Sequence, residues 1–111
     1  MKGNVVVVPF PFSDQSDVKN RPALILIEGD RNDIVLAAIS SSSDDANGIT
    51  LLEKDFSSGK LKHPSVIRAA TLFTADRNII QRTVGTISPD KHKEVINKII
   101  SLLGERVAGT P

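Results

Sequence analysis

The chain has 111 residues, of which 40% are hydrophobic and 24% are charged, and its formal net charge is +1. This length and composition predict one soluble globular domain with its own hydrophobic core. Cysteine is absent, which excludes a disulfide framework and a zinc–thiolate site. Because the net charge is so small, any affinity for nucleic acid must come from lysines and arginines that the fold brings together.

The start of the chain predicts a cytoplasmic protein without membrane contact. Residues 1–4 lead directly into a strand-like segment and lack the apolar region of a signal peptide. The longest apolar runs, such as Val5 to Phe12, are too short to cross a bilayer.

The first third of the chain predicts three strands. Val5–Val8 is a β-branched run closed by Pro9 and Pro11, which favours a strand that is buried on both faces or lies at a barrel closure. Residues 11–20 are polar and predict a loop. The second and third strands are expected over residues 22–27 and 34–39. The second begins with Pro22, and a proline is tolerated at the first position of a strand.

The middle of the chain alternates polar loops with short strands. Residues 40–48 and 53–64 are mostly polar and predict two loops, whereas residues 72–79 fit no single pattern. Strands are expected over residues 49–52, 65–70 and 81–87, and in the last of these Gly85 marks a bulge or a close backbone contact.

The end of the chain predicts one amphipathic helix of about four turns. Ser88 suits the N-cap, Pro89 the first helical position and Asp90 the positive end of the helix dipole. Gly104 is expected to end the helix, so that residues 1–104 form the domain and residues 105–111 a disordered tail. The apolar residues that recur at helical spacing are Val95, Ile96, Ile99, Ile100, Leu102 and Leu103.

Several short strands followed by one helix indicate the α+β class. About six strands in this length satisfy their edges best by curling into a small antiparallel barrel. The helix would then cover an open end or an outer face.

Several catalytic arrangements find little support in the sequence. His63 and His92 are the only histidines, and their spacing matches no zinc motif. His63 could serve as the base of a catalytic triad, but no serine lies in a nucleophile-elbow motif. Phosphate-binding glycine loops are absent, and Asp44-Asp45 is more typical of a solvated turn than of paired catalytic carboxylates.

A set of cationic and hydroxyl side chains remains as a candidate anion site. Arg21 precedes the second strand, Ser40–Ser43 follow the third, and Arg68 lies in a later strand. Guanidinium groups, hydroxyls and backbone amides suit phosphodiester chemistry, in which charge develops on phosphate oxygens. The second long loop adds Lys54, Lys60, Lys62 and His63.

Each of these features also has a purely structural interpretation. Arg21 is as typical of a surface salt bridge as of an active site, and serine runs and lysine-rich loops are more often turns and solvated surfaces. Phe10 and Phe12 fit base stacking and core packing equally well.

The ordered set of segments resembles the MazF/PemK toxins. Gly3–Asp14 resembles the opening strand of that family, and Asn20–Leu26 contains the Arg-Pro that precedes its second strand. Ala37–Ser41 resembles the third strand with its terminal hydroxyl pair. His63–Arg68 and Phe73–Asp76 fit later blocks, and the resemblance covers about residues 3 to 104.

The resemblance implies an SH3-like barrel of the MazF/CcdB type, a homodimer, and cleavage of single-stranded RNA without a metal ion or cofactor. The RNA's own 2′-hydroxyl would attack the adjacent phosphorus and leave a 2′,3′-cyclic phosphate and a 5′-hydroxyl. The resemblance also implies an antitoxin partner whose acidic disordered segment covers the active groove.

Site residues follow from the same resemblance. Arg21 and Ser40 match the arginine before the second strand and the hydroxyl after the third, which are central to catalysis in the family. Arg68 matches an arginine that some PemK-type members use as the acid. The expected substrate-binding residues are Ser41, Lys19, Lys62, His63 and Phe12.

The chain departs from the PemK-type pattern at two positions. Ala70 stands where those members carry an aspartate, and Gln15 stands where they carry a histidine. The resemblance therefore leaves the general base open between Asp76, His63 and Arg21.

Two other functions compete with RNA cleavage. Gyrase-inhibiting toxins share this barrel and bind their target through the C-terminal helix, and a missing catalytic group such as the aspartate replaced by Ala70 favours that alternative. A plain SH3-like nucleic-acid-binding module predicts salt-sensitive RNA binding without cleavage.

Overall fold

The structure, a computed structural model, describes residues 1–10, 19–41 and 45–108, with side chains as far as Gly104. Phe12 and Gln15 lie outside the described residues, as does the predicted tail beyond residue 108. The strands are β1 (Asn4–Pro9), β2 (Asn20–Glu28), β3 (Asp33–Ser40), β4 (Gly48–Leu51), β5 (Phe56–Gly59), β6 (Ser65–Asp76) and β7 (Arg82–Ile87), and helix α1 spans Pro89–Ala108.

The seven strands form one curled antiparallel sheet in the order β4-β6-β3-β2-β1-β7-β5. The two edge strands, β4 and β5, are neighbours in the chain and are joined by residues 52–55. Such a connection reaches at most about 18 Å, so the sheet must curl until its edges are close. The structure confirms the predicted fold class, a small β half-barrel with one C-terminal helix.

Two apolar clusters bury opposite faces of the central strands. One cluster joins the sheet to α1 through Val95 and Ile99, and the other contains Phe73. Alternate residues of β1 enter different clusters, Val5 the first and Val6 the second. Burial on both faces explains why Val5–Val8 is apolar throughout instead of alternating.

β5 lies inside the segment predicted as a loop. Its residues Phe56–Gly59 show little apolar alternation, and its pairing with β7 brings two glycines together. A Cβ on Gly85 would collide with the backbone of Ser58 and Gly59. The predicted bulge and close contact at Gly85 are confirmed, because the β1–β7 register also shifts between Val5 and Val6. β6 runs without a break to Asp76, through part of the segment that fitted no pattern.

The helix begins as predicted and ends later than predicted. The Ser88 Oγ accepts a hydrogen bond from the backbone N–H of Lys91 at 3.1 Å, which confirms the N-cap. The prediction that Gly104 ends the helix is wrong, since α1 continues to Ala108. A glycine inside a helix costs only about 1 kcal/mol, which its neighbours in the helix can offset. No helix in the described part of the chain is long and apolar enough to span a membrane.

Candidate active site

An open cleft of ≈ 860 Å³ lies where several strands end. It is bounded by the start of β2, the end of β3, the segment that joins β5 to β6, and the start of β7. The described lining residues are Val7, Asn20, Arg21, Pro22, Ile39, Ser40, Ser41, Lys60, Leu61, Lys62, His63, Ser65, Gln81, Arg82 and Val84.

Arg21 and Ser40 both line this cleft. The β2–β3 register pairs Ala23 with Ala38, and Arg21 and Ser40 each lie two residues from this pair, at the same end of the antiparallel ladder. Strand alternation puts both side chains on the sheet face of Ala23 and Ala38. The two residues thus lie on the same face and at the same end of neighbouring strands. We call this end, formed by Arg21 and Ser40, the rim of the cleft.

An aromatic ring supports the Arg21 side chain. The guanidinium carbon lies 5.6 Å from the centre of the Phe10 ring, in a cation–π contact. Phe10 in turn packs edge-on against Phe73, with 5.7 Å between the ring centres. Phe10 therefore packs against Phe73 and supports the Arg21 side chain.

Three of the expected substrate-binding residues also line the cleft: Ser41, Lys62 and His63. Lys62 and His63 further line a smaller adjoining cavity of ≈ 150 Å³, together with Phe56. A hydrogen bond stabilises the turn that carries His63. The Oγ of buried Ser65 donates it to the His63 carbonyl oxygen at 3.0 Å.

Arg68 and Lys19 are not among the described residues that line the cleft. The Arg68 Nε lies 3.5 Å from the Asp45 Oδ2, and both groups belong to the β4–β6 side of the sheet. The Lys19 side chain is exposed, and its backbone carbonyl accepts a hydrogen bond from the Phe10 N–H at 2.9 Å. The expected role of Phe12 lies outside the described residues.

Of the three candidates for the general base, Asp76 lies away from the cleft. It ends β6, at the far end from Ser65, and pairs with Asp33. Its carboxylate accepts a hydrogen bond from the backbone N–H of Asn78 at 2.8 Å and caps the turn that follows. His63 and Arg21 remain in the cleft.

Sequence reasoning missed Arg82, a cation that the fold brings to the cleft. Arg82 pairs with Val7 on β1, and Val7 pairs with Pro22 on β2, so the three residues form one row across the sheet. This register joins the first strand to the last, and no local pattern around Arg82 indicates it. Asn20 and Gln81, which the sequence did not indicate either, also line the cleft, as does Lys60, which was already part of the candidate anion site.

The cleft concentrates positive charge in a chain that is nearly neutral. Its described lining contains Arg21, Lys60, Lys62 and Arg82 and no carboxylate, although the formal net charge of the chain is only +1. Within the described residues, no three His, Cys, Asp or Glu side chains come together in a group able to hold a metal ion. The site is suited to binding an anionic polymer.

Comparison with protein families identifies the chain. Residues 1–103 match the family described as PemK-like, MazF-like toxin of type II toxin-antitoxin system. The chain belongs to this family. The match covers every strand of the toxin and most of α1, and it confirms the resemblance carried by the opening strand and the Arg21-Pro22 element.

Solved structures of MazF toxins share the fold of this toxin. The MazE-MazF complex (Form-III) from Deinococcus radiodurans matches with a TM-score of 0.73 and 23% identity, over 92% of this chain and 94% of that chain. An endoribonuclease in complex with its cognate antitoxin, from a mycobacterial species, gives a TM-score of 0.72 and 15% identity, with 94% of each chain covered. The Mycobacterium tuberculosis toxin MazF-mt6 gives 0.68 and 17% identity, over 92% of this chain and 96% of that chain. No curated protein sequence matches the chain.

Proposed function

We propose that this toxin is a metal-independent endoribonuclease that cuts single-stranded RNA at specific short sequences. The 2′-hydroxyl attacks the adjacent phosphorus, the bond to the 5′-oxygen breaks, and the products carry a 2′,3′-cyclic phosphate and a 5′-hydroxyl. The single observation that carries this proposal is the placement of Arg21 and Ser40 at one rim of a cleft lined by cations.

Arg21 and Ser40 stabilise the phosphate at which charge develops. The guanidinium of Arg21 offers paired donors to two phosphate oxygens, and its contact with Phe10 holds it on the face of Ser40. The hydroxyls of Ser40 and Ser41 donate to the same oxygens. Donors fixed before the reaction stabilise the pentavalent phosphorus without reorganisation.

Arg68 is proposed to neutralise charge on the phosphate or to protonate the leaving oxygen. In the structure its guanidinium contacts Asp45, so either role requires this pair to open. A partly exposed ion pair of this length contributes only about 0–1 kcal/mol, and opening it is therefore inexpensive.

The remaining cations bind the RNA on either side of the cut. Lys62, Lys60 and Arg82 can contact phosphates, since they line the cleft. Lys19 is exposed and could extend this path beyond the cleft. A cleft open to solvent accepts an unpaired strand, whose bases are free to be read.

The proposal is tested with the purified toxin and a long single-stranded RNA in the presence of EDTA. We expect cuts at a few sites, with a cyclic phosphate at the 3′ end of each upstream fragment, and cleavage slower by about 10²-fold or more with Arg21→Ala. Intact RNA, or cleavage that EDTA abolishes, would overturn the proposal. Inhibition of gyrase by a preparation that leaves RNA intact would favour the non-catalytic toxin instead.

We also propose that an antitoxin with an acidic, disordered segment neutralises the toxin by covering the cleft. Positive charge at the cleft without a described carboxylate in its lining complements such a segment. Two of the related structures, the MazE-MazF complex from Deinococcus radiodurans and the mycobacterial endoribonuclease with its cognate antitoxin, are complexes. The toxin and its RNA target would then meet in the cytoplasm.

A homodimer is proposed as the working form of the toxin. Ile100 and Leu103 on α1 are 59% and 70% exposed, an apolar surface that a second copy would cover. Light scattering at micromolar concentration should give twice the mass of one chain. A monomer under these conditions would contradict the proposal.

A further inference from the structure

The chemistry proposed for the cleft needs a group that takes up a proton near neutral pH, because the attacking 2′-hydroxyl must lose its proton as it bonds to phosphorus. A guanidinium stays protonated in proteins, which argues against Arg21 and Arg82 as proton acceptors. Lysine ammonium groups in water release their proton only well above neutral pH. Histidine is the side-chain type that changes its charge near neutrality, and among the described lining residues it occurs once, at position 63.

The local backbone holds His63 at the cleft. Pro64 follows it directly, and a residue before proline is restricted to extended conformations. The hydrogen bond from Ser65 Oγ to the His63 carbonyl ties the same turn to the start of β6. The Ser65 side chain is itself buried, with 8% exposure, so the turn has a firm support.

The position of the His63 ring suits a proton acceptor. His63 is exposed, and it lines both the large cleft and the smaller cavity. Arg21, Ser40 and His63 thus line one cleft, in which a nucleotide would present its phosphate and its sugar. Both cavities are open to solvent, so an RNA strand can enter them.

The charged groups that share a cavity lining with His63 come from four elements. Its own segment carries Lys60 and Lys62, β2 carries Arg21, and β7 carries Arg82. The turn before β5 carries Glu53, which lines the smaller cavity and lies 4.0 Å from the Lys60 Nζ. The one described carboxylate near His63 is thus already paired with a lysine.

We propose that His63 is the general base of the cleft, which removes the proton of the attacking 2′-hydroxyl; this inference rests on the endoribonuclease function proposed above. The proton passes to an unprotonated imidazole nitrogen while the 2′-oxygen bonds to phosphorus and the bond from phosphorus to the 5′-oxygen breaks. The 5′-oxygen takes a proton from water, and the resulting hydroxide takes the proton from the imidazolium. Enzyme and solvent return to their starting state, and no metal or redox partner takes part.

The first test compares pH–rate profiles of the wild-type toxin, His63→Gln and His63→Ala between about pH 5 and 9. A short oligonucleotide that carries one mapped cut site serves as substrate. We expect a rate that rises with pH in the wild type, loss of this rising limb in both variants, and a fall in kcat of about 10²- to 10⁴-fold with little change in KM. Added imidazole should restore part of the activity of His63→Ala, which a purely structural role would not allow.

A matched control uses the other histidine. His92 lines a different groove, beside α1, and lies outside the described lining of the cleft. His92→Gln should keep the rising limb of the profile. If His63→Gln also keeps that limb, or if imidazole gives no rescue, the assignment of His63 is wrong while RNA cleavage by the toxin still stands.

A substrate with sulfur in place of the 5′-oxygen separates the base from the acid. Sulfur leaves without protonation, so loss of a general acid no longer slows the reaction, whereas loss of a general base still does. We expect His63→Gln to slow cleavage of this substrate by the same factor as that of the normal one. A vanishing effect would make His63 the acid and overturn the proposal, and failure of the wild type to cut either substrate would overturn the proposed function as well.

Discussion

Arg21 combines a fork of donors with a flat cation that packs on an aromatic ring. Lysine keeps the charge but loses both the fork and the close packing on Phe10. We therefore expect kcat/KM for RNA to fall by about 10²- to 10³-fold in Arg21→Ala and to show an intermediate loss in Arg21→Lys.

Arg31→Asn is a suitable control for these variants. Arg31 lies in the β2–β3 turn with a φ of 60°, a conformation that asparagine tolerates, and its substitution removes the same unit of charge outside the described cleft lining. Its activity should equal that of the wild type. Equal activity of Arg21→Lys and the wild type would mean that charge alone is required at position 21.

A second prediction at the scale of single residues concerns the ion pair between Arg68 and Asp45. If Arg68 leaves Asp45 to act on the RNA, Arg68→Ala should lower kcat and Asp45→Asn should maintain or raise it. Measured stability should fall by less than about 1 kcal/mol in both variants, since the pair is partly exposed. Equal losses of kcat in the two variants would instead show that the pair serves only to hold β4 on β6.

At the scale of secondary structure, Gly85 and Gly104 provide a matched pair of substitutions. Gly85 is tightly packed against backbone, whereas Gly104 has open space beside it. Gly85→Ala drives a Cβ into the backbone of β5 and should lower the free energy of unfolding by about 1–3 kcal/mol or more. Gly104→Ala places its Cβ in open space within α1 and should raise that free energy by about 0.5–1 kcal/mol. Chemical denaturation of both variants measures the two effects, and a stable Gly85→Ala would contradict the close packing of β5 on β7.

The same elements show why part of the fold can be predicted from the sequence. β1 and α1 carry their own signals, a β-branched run and a capped apolar period, and the sequence predicted β1 near its observed bounds and α1 at its observed start. β5 has no such signal, because Phe56–Gly59 is stabilised by main-chain pairing with β7. Arg82 was missed for a related reason, since its place beside Val7 depends on a register between the ends of the chain. Arg21 and Ser40 were named through the family resemblance, and the β2–β3 register brings them together.

For the whole molecule, the contrast between a nearly neutral chain and a cationic cleft predicts strong salt dependence. Each phosphate contact of a single strand contributes a slope of about 0.7 to the fall of log affinity with log salt. Arg82→Ala should weaken RNA binding and lower this slope by about that amount. Fluorescence anisotropy with a labelled, uncleavable RNA measures it. An unchanged slope would mean that Arg82 contacts no phosphate.

The order of the sheet, in which β7 joins β1, also has a consequence for the cell that makes the toxin. Arg82 belongs to β7, the last strand of the described chain to leave the ribosome, while Arg21 and Ser40 belong to the first half of the chain. An unfinished polypeptide therefore lacks one wall of its own cleft. On the function proposed above, we expect a growing chain to be unable to cut the message that encodes it until β7 has been synthesised.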